Sequence, residues 1–364
     1  MIMNSPLVSI GLPVYNGERY LADALDSLVA QDYKEFELII SDNASTDATS
    51  AICRQYAGRD KRIKLQRNAM NIGAARNFTE VFRKSRGTYF MWAAHDDLWH
   101  PTYVRRCVEV LDERPDVVLC GSNITFIDER GAAIPYEGFN RLNTHSMNLR
   151  RRVSALSERL GWFLLSSLLR PAALRKTRLY TEAFGGDVIL LMELLFLGTT
   201  YILPQKLFTC RVIPKSSERY FEDISGSRSW RGASKAYTGL ARSLLQVIDN
   251  SRSSARDKAK MREDLLQNVG RKNKAWSDLI VHENLALACV PSHQRFVEIR
   301  ALLAPETPLV ELDMLRAAAN KAAIRTRTIN EIGRFFERCI PMRTMNRVRR
   351  FLERYIRWRL RRIW

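Results

Sequence analysis

Two adjacent carboxylates, Asp96 and Asp97, follow the apolar run 89–94 and stand a few residues ahead of Pro101. Tandem acids beside an apolar stretch are unfavourable unless a cation shares the place. A divalent ion held by one or two carboxylates and the oxygens of a diphosphate would resolve that conflict. A solvated turn leading into a helix is the alternative, and the metal reading is preferred at this position. Two other polar clusters could serve a nucleotide. Pro13, Tyr15 and Asn16 end a β-type run, where a rigid ring and an aromatic can form a shelf for a flat base. Asp42 and Asn43 open the run Asp-Asn-Ala-Ser-Thr-Asp and can meet ribose and base donors. Taken singly, an ordinary turn explains the first cluster, and a helix cap by Ser45 or Thr46 explains the second, better than a ligand does.

The elements around these clusters alternate. Residues 7–14, 36–41, 63–66, 88–94 and 117–122 read as strands, most of them short continuous apolar runs. Between them, residues 20–29, a segment through Ile52, Cys53 and Tyr56, residues 74–84 and residues 101–114 carry apolar side chains at helical spacing. This order predicts an α/β fold, a mostly parallel sheet with helices on both faces. Ligands of such sheets bind at the carboxyl ends of the strands, where each polar cluster falls. Beyond residue 130 the pattern is less regular, with a helix expected over 154–169 and a strongly apolar segment over 188–197. From about residue 216 only helices are expected, at 230–248, 255–281, 294–303 and 309–338, with a polar Gly/Ser/Arg loop at 225–231.

Composition narrows the classes. In 364 residues, 46% hydrophobic and 27% charged are ordinary globular values, which excludes wholesale disorder and collagen-like repeats. Six widely spaced cysteines without a CxxC pair argue against a zinc ribbon or a disulfide scaffold and suit reduced thiols in a cytosol. With no basic and apolar leader at the start and no apolar span of membrane length, the expectation is a cytoplasmic protein that is not integral to a membrane. The charge is uneven. Residues 1–130 hold 16 Lys+Arg against 18 Asp+Glu, and residues 131–364 hold 42 against 21. That division suggests chemistry in front and attachment to something anionic behind.

In this order and spacing, PVYNGERYL, SDNASTD, NIGAARNF and RGTYFMWAAHDDLWHP closely resemble the inverting family 2 glycosyltransferases of the GT-A fold, over roughly residues 5–215. The resemblance implies transfer of a sugar from a nucleotide diphosphate sugar to an acceptor hydroxyl, with Mg or Mn. It implies Pro13 and Tyr15 as the base shelf with Asn16 beside them, and Asp42 and Asn43 as contacts to base and ribose. It further implies Asp96 near the ribose, as the first acid of a DXD-like motif, and Asp97 as the metal ligand. Arg76 matches a contact to nucleotide or phosphate, and an ordinary surface-helix arginine explains it equally well. The catalytic base of the family lies in a Gly/Glu-Asp motif before an apolar helix, which Gly185-Gly186-Asp187 and the run after it match. Asp187 is therefore the expected base, since partial desolvation raises a carboxylate's pKa and favours proton uptake. It could also cap its helix. Glu193 ranks as structural or acceptor-positioning. Two departures stand out. Asn43 replaces an acid common among relatives, and Ile213 occupies the place of a frequent histidine, which leaves Arg211, with Lys215, to compensate the leaving diphosphate.

Residues 341–364 hold nine arginines and one acid, Glu353. On a helical wheel Leu352, Ile356 and Leu360 face one way and Arg350, Arg354, Arg357 and Arg361 the other, with Trp358 and Trp364 as interfacial anchors. This pattern predicts an in-plane helix on an anionic membrane. A helix packed on its own domain is the alternative. Nucleic acid is not expected as a partner, for want of any recognition motif.

The expected organisation is thus a GT-A domain over 1–215, a helical extension over 216–340 and a basic amphipathic helix over 341–364. The expected protein is peripheral on the inner face of the plasma membrane. It would use a UDP, GDP or dTDP sugar to extend a glycan or lipid-linked glycan in surface polysaccharide or glycolipid synthesis. A sugar nucleotidyltransferase is the nearest competitor, disfavoured by a single glycine in the first loop. A non-catalytic membrane- or nucleic-acid-binding protein on a degenerate scaffold is the other.

Overall fold

A computed structural model of the chain describes residues 8–135, 142–158, 162–213, 236–284 and 292–303. The chain divides into two compact units, Met1–Asn284 and Leu285–Trp364. The expected basic helix at 341–364, with Arg350, Arg354, Arg357, Trp358, Arg361 and Trp364, lies outside the described residues, as do Lys215, the loop at 225–231 and the helix expected at 309–338.

The first unit is built on an eight-stranded sheet. Its strands are β1 (Val8–Val14), β2 (Phe36–Asp42), β3 (Ile63–Arg67), β4 (Tyr89–Trp92), β5 (Leu98–Trp99), β6 (Val117–Ile127), β7 (Leu168–Leu169) and β8 (Thr199–Arg211). They lie in the order β3-β2-β1-β4-β7-β6-β8-β5. Pairings β1–β2, β2–β3, β1–β4 and β6–β8 are parallel, and those of β7 with β4 and β6, and of β5 with β8, are antiparallel. The fold is α/β as expected, with the sheet mixed. Every residue of β1, β2 and β4 is buried, so these apolar runs are covered on both faces. Helices α1 (Leu21–Val29), α2 (Thr49–Arg59), α3 (Ala74–Arg83) and α4 (Tyr103–Glu113) supply much of that cover through apolar stripes such as Leu21, Leu25 and Leu28.

Two segments in and beside the sheet depart from expectation. Residues 154–169 are not one helix. Helix α5 (Leu149–Glu158) ends first, a 3-10 turn covers Trp162–Ser166, and Leu168 and Leu169 form β7. Both leucines are fully buried and bridge β4 to β6, so the vacancy in the sheet outweighs the helical periodicity. The other segment is β8, thirteen residues long and shaped by register shifts along β6, where the sequence showed no clear strand.

Downstream, α6 (Pro171–Leu174) and α7 (Gly186–Leu197) precede β8, and α8 (Ala236–Asn250), α9 (Ala255–Gln267) and α10 (Lys274–Glu283) follow it. The single helix expected over 255–281 is broken by a π turn, Asn268–Lys272, after which Asn273 Oδ1 accepts the Trp276 N–H at 3.1 Å. Within the second unit, Ser292–Leu302 is helical.

Candidate active site

The first two clusters meet because β1 and β2 are adjacent and parallel, with Val14 opposite Asp42. The loop after β1 is tied to the loop after β2 by Asn16 N–H to Ser45 Oγ at 3.0 Å, Thr46 N–H to Asn16 Oδ1 at 2.8 Å and Gly17 N–H to Thr49 Oγ1 at 2.8 Å. Asn16 turns the chain with φ of 49°, a conformation asparagine tolerates. Pro13 is buried in β1, whereas the Tyr15 ring is exposed, so any base shelf here is presented by Tyr15.

Asp42 and Asn43 are both buried and engaged within the protein. Asp42 accepts from Ser45 N–H at 2.9 Å and Arg67 Nε at 3.2 Å, and pairs with the Ser50 hydroxyl. Burial would raise its pKa, but these hydrogen bonds and the Arg67 charge hold it below the ordinary value. Asn43 Oδ1 accepts from Asn68 Nδ2 and from Ile72 N–H, each at 3.0 Å, and its Nδ2 donates to Asn71 Oδ1 at 2.8 Å. Its amide thereby folds the loop 68–73, with Met70 exposed, over the strand end.

Asp96 and Asp97 lie beyond β4. In the antiparallel β5–β8 pair Leu98 is opposite Thr209, which carries Asp97 alongside the end of β8. Arg211 N–H donates to Asp97 Oδ1 at 2.9 Å, and its guanidinium donates to the carbonyls of Asp96 at 3.1 Å and Asp128 at 3.3 Å. The guanidinium carbon lies 4.3 Å from the centre of the Tyr20 ring. Arg211 is buried and behind the Asp-Asp turn, positioned to neutralise it from inside. Burial, with the charge of Asp96 beside it, pushes the Asp97 carboxyl well above the usual carboxylate range. Asp96 is half-buried. Gly17 packs so closely on His95 that a Cβ would come within 2.6 Å of its ring, which joins the first loop to this turn.

Such a desolvated carboxylate next to a second acid fits a cation. The two carboxylates offer oxygen donors, as Mg or Mn prefer, and the Cys210 thiol bonds to Asp97 beside them. Among the described residues no three His, Cys, Asp or Glu side chains gather as a metal cage. The remaining ligands would have to come from a bound diphosphate and water.

Asp187 occupies the first turn of α7, after Gly185 at φ 68°. A Cβ at Gly185 would lie 2.8 Å from Leu240 of α8, and the Phe184 ring packs edge-on against Tyr237 at 4.9 Å. The helices after residue 236 therefore seat this turn. Asp187 Oδ1 accepts its neighbour's N–H, that of Val188, at 2.8 Å, and burial raises the carboxyl's pKa. The approach to it rests on α3 and β4, with Tyr180 4.5 Å from Phe78 and 5.4 Å from Trp92, ring to ring. Arg76 donates to Glu182 Oε1 at 2.8 Å, so it engages this approach from α3. Glu193 is paired with Arg178.

Sequence reasoning missed Tyr20, Tyr180, Glu182, Tyr237 and Leu240. Only the last two left a signal, the three-residue spacing of Tyr237 and Leu240 on an amphipathic helix.

Residues 9–165 match the family model described as Glycosyl transferase family 2. An uncharacterized glycosyltransferase of Rickettsia typhi is 35% identical over 133 residues, 36% of this chain and 40% of its own length. One of Haemophilus influenzae is 30% identical over 131 residues, 36% of this chain and 41% of the relative. The chain thus spans about two fifths of the length of these two relatives. Among solved structures, Staphylococcus aureus TarS 1-349 aligns with a TM-score of 0.58 at 17% identity, covering 81% of this chain and 79% of that one. Its complex with UDP-GlcNAc aligns with the same TM-score over 80% and 79%. The likeness is one of fold, the GT-A arrangement of sheet and helices.

Proposed function

We propose, from the match of residues 9–165 to the family 2 glycosyltransferase model, that this protein transfers a sugar from a nucleotide diphosphate sugar to an acceptor hydroxyl, with inversion. The observation that carries the reading is the Asp96-Asp97 turn. It stands beyond β4 of such a domain, holds a desolvated carboxylate, and is joined through Gly17 to the loop that presents Tyr15.

In this reading Tyr15 stacks on the base, and the loops around Asn16 and 68–73 enclose base and ribose. Asp42 and Asn43 act through the loops they hold, and Arg76 steadies the approach to Asp187 through Glu182. Asp97, with Asp96 near the ribose, would hold Mg or Mn, which when bound offsets the charge of the diphosphate. Arg211 adds fixed positive charge behind the turn. Asp187 takes the proton of the acceptor hydroxyl as that oxygen forms its bond to the anomeric carbon. The bond from that carbon to the diphosphate oxygen breaks, and the diphosphate leaves with the electron pair. A raised pKa suits Asp187 to this step. The UDP-GlcNAc held by TarS, a protein of the same fold, supports a uridine nucleotide as the first donor to test.

The acceptor is proposed to be a glycan or lipid-linked glycan of a surface polysaccharide or glycolipid. The nine arginines of 341–364 would hold the protein peripherally on the inner face of the plasma membrane. Among the described residues no helix is long and apolar enough to cross a membrane.

The test is calorimetric titration with UDP, GDP, dTDP and CDP, each with and without Mn, on wild type and Asp97→Ala. Metal-dependent binding of one nucleotide, lost in the variant, is expected. Binding of none of them would sink the reading.

A further inference from the structure

We propose that the basic cleft between the C-terminal end of α3 and the edge strand β3 is a second anion site, which takes a phosphate or diphosphate group. The cleft has a volume of about 420 Å³, with Ile39 and Leu65 as its apolar lining and Lys64, Arg83, Lys84 and Arg86 as its charged one. Gln66 and Ser85 add polar groups. That volume suits a small ligand.

Its place in the fold separates it from the candidate active site. Lys64, Leu65 and Gln66 line it from β3, in register with Ile39, Ile40 and Ser41 of β2, and residues 83–86 stand at the end of α3, so the cleft lies along the outer flank of the sheet. Tyr15, Asn43 and Asp97 follow the carboxyl ends of its strands. Along β2, Ile39 of the cleft stands four residues before Asn43, roughly 13 Å at the rise of a strand.

The charge is not spent internally. Lys64 is matched by buried Glu37, and Arg83 by Glu80. Lys84 and Arg86 have no acidic partner among the described residues, and both are exposed. Glu37 is no competitor for them, since its oxygens already serve Ser9 Oγ at 2.6 Å, Arg86 N–H at 3.0 Å and Lys64. The Lys84 ammonium is held at the cleft by Gln66 Oε1. An ammonium and a guanidinium without acids, at the rim of a concave site lined by two further cations, match the oxygens of a phosphate. β3 is the outermost strand, so the cleft is open at the side of the sheet. The group could belong to a soluble diphosphate or to a phospholipid headgroup, and the experiment separates these sources.

The full chain in EDTA would be followed by hydrogen exchange at residues 83–87. One arm adds inorganic pyrophosphate. The other adds vesicles of phosphatidylglycerol in phosphatidylcholine, against phosphatidylcholine alone. Slowed exchange is expected in at least one arm. Protection by pyrophosphate identifies a soluble ligand, and protection by anionic vesicles alone identifies a headgroup. The Lys84→Ala/Arg86→Ala variant should shift the protecting concentration at least tenfold, and Lys84→Arg/Arg86→Lys should restore it to within threefold. Asp97→Ala should leave protection intact, so failure of the proposed donor site and failure of this one are read separately. No protection in either arm, or an unchanged midpoint in the alanine variant, overturns the proposal.

Discussion

Arg211 gives its backbone N–H to Asp97 Oδ1 at 2.9 Å while its side chain braces the carbonyl of Asp96 at 3.1 Å. One residue at the end of β8 therefore shapes both acids of the turn, 114 positions away in the chain from the closer of them. The arrangement holds the acid pair with a backbone donor, the Cys210 thiol and a buried guanidinium, and still leaves Asp97 desolvated. An added cation should relieve that.

The first expectation follows. With UDP and Mn the wild type should gain about 3–4 kcal/mol of stability at ligand 100 to 1,000 times its Kd, and its melting temperature should rise accordingly. Asp97→Asn keeps an oxygen for the Arg211 N–H and should fold, yet gain little from Mn and UDP together. Scanning calorimetry with and without both ligands checks this. An equal gain in the variant would remove Asp97 from the metal site.

Asp187→Asn should lower kcat by roughly 10²–10⁴-fold while leaving nucleotide affinity within twofold. Burial raises the carboxyl's pKa, so the acidic limb of kcat against pH should lie above the ordinary carboxylate value of about 4. The native state keeps a proton there that the unfolded chain has lost, so ionised Asp187 disfavours folding as pH rises through that pKa. The amide should therefore be no less stable than wild type at neutral pH. A large fall in its melting temperature would mark a structural role instead.

Asn43→Ala should destabilise the protein by about 1–3 kcal/mol, because Asn68 Nδ2, Ile72 N–H and Asn71 lose their buried partner. It should also weaken nucleotide binding through the loop 68–73. Asn43→Asp keeps both acceptor bonds but turns an oxygen toward Asn71 Oδ1, which the Gly73 N–H already fixes at 2.9 Å. Its stability should fall between wild type and alanine. Urea melts of the three proteins give the order.

Glu37 and Asp42 are buried carboxylates, and burial alone would raise both pKa values. Lys64, Ser9 and the Arg86 N–H lower that of Glu37, and Ser45, Ser50 and Arg67 lower that of Asp42. With folded values below the unfolded ones, their contribution is complete above about pH 4 and is lost as pH falls through the folded values. Glu37→Gln should lower stability at pH 7 and flatten its loss between pH 4 and 2. Unfolding followed over that range by circular dichroism is the check, and an unchanged slope would count against it.

Much of this protein was legible in the chain because its signals are local. Continuous apolar runs such as Val8–Val14 and stripes such as that of Leu21–Val29 fix a buried strand and an amphipathic helix without reference to the rest of the fold. The polar clusters after residues 14, 42 and 94 were visible for the same reason, as breaks in those runs. What they do there was not local. Asn43 looked like a residue facing a ligand, and tertiary structure turned its amide inward, to a loop 25 to 30 positions away. Arg211 looked like a contact to diphosphate, and the β5–β8 register placed it behind the acids. Leu168 and Leu169 had helical surroundings, yet a gap between β4 and β6 made them a strand. Residue type and spacing by themselves determined the sheet-and-helix order and the kinds of chemistry available. Only packing decided which polar groups were spent on the protein and which remained for a substrate, because a hydrogen bond within the fold depends on neighbours that the sequence holds far apart.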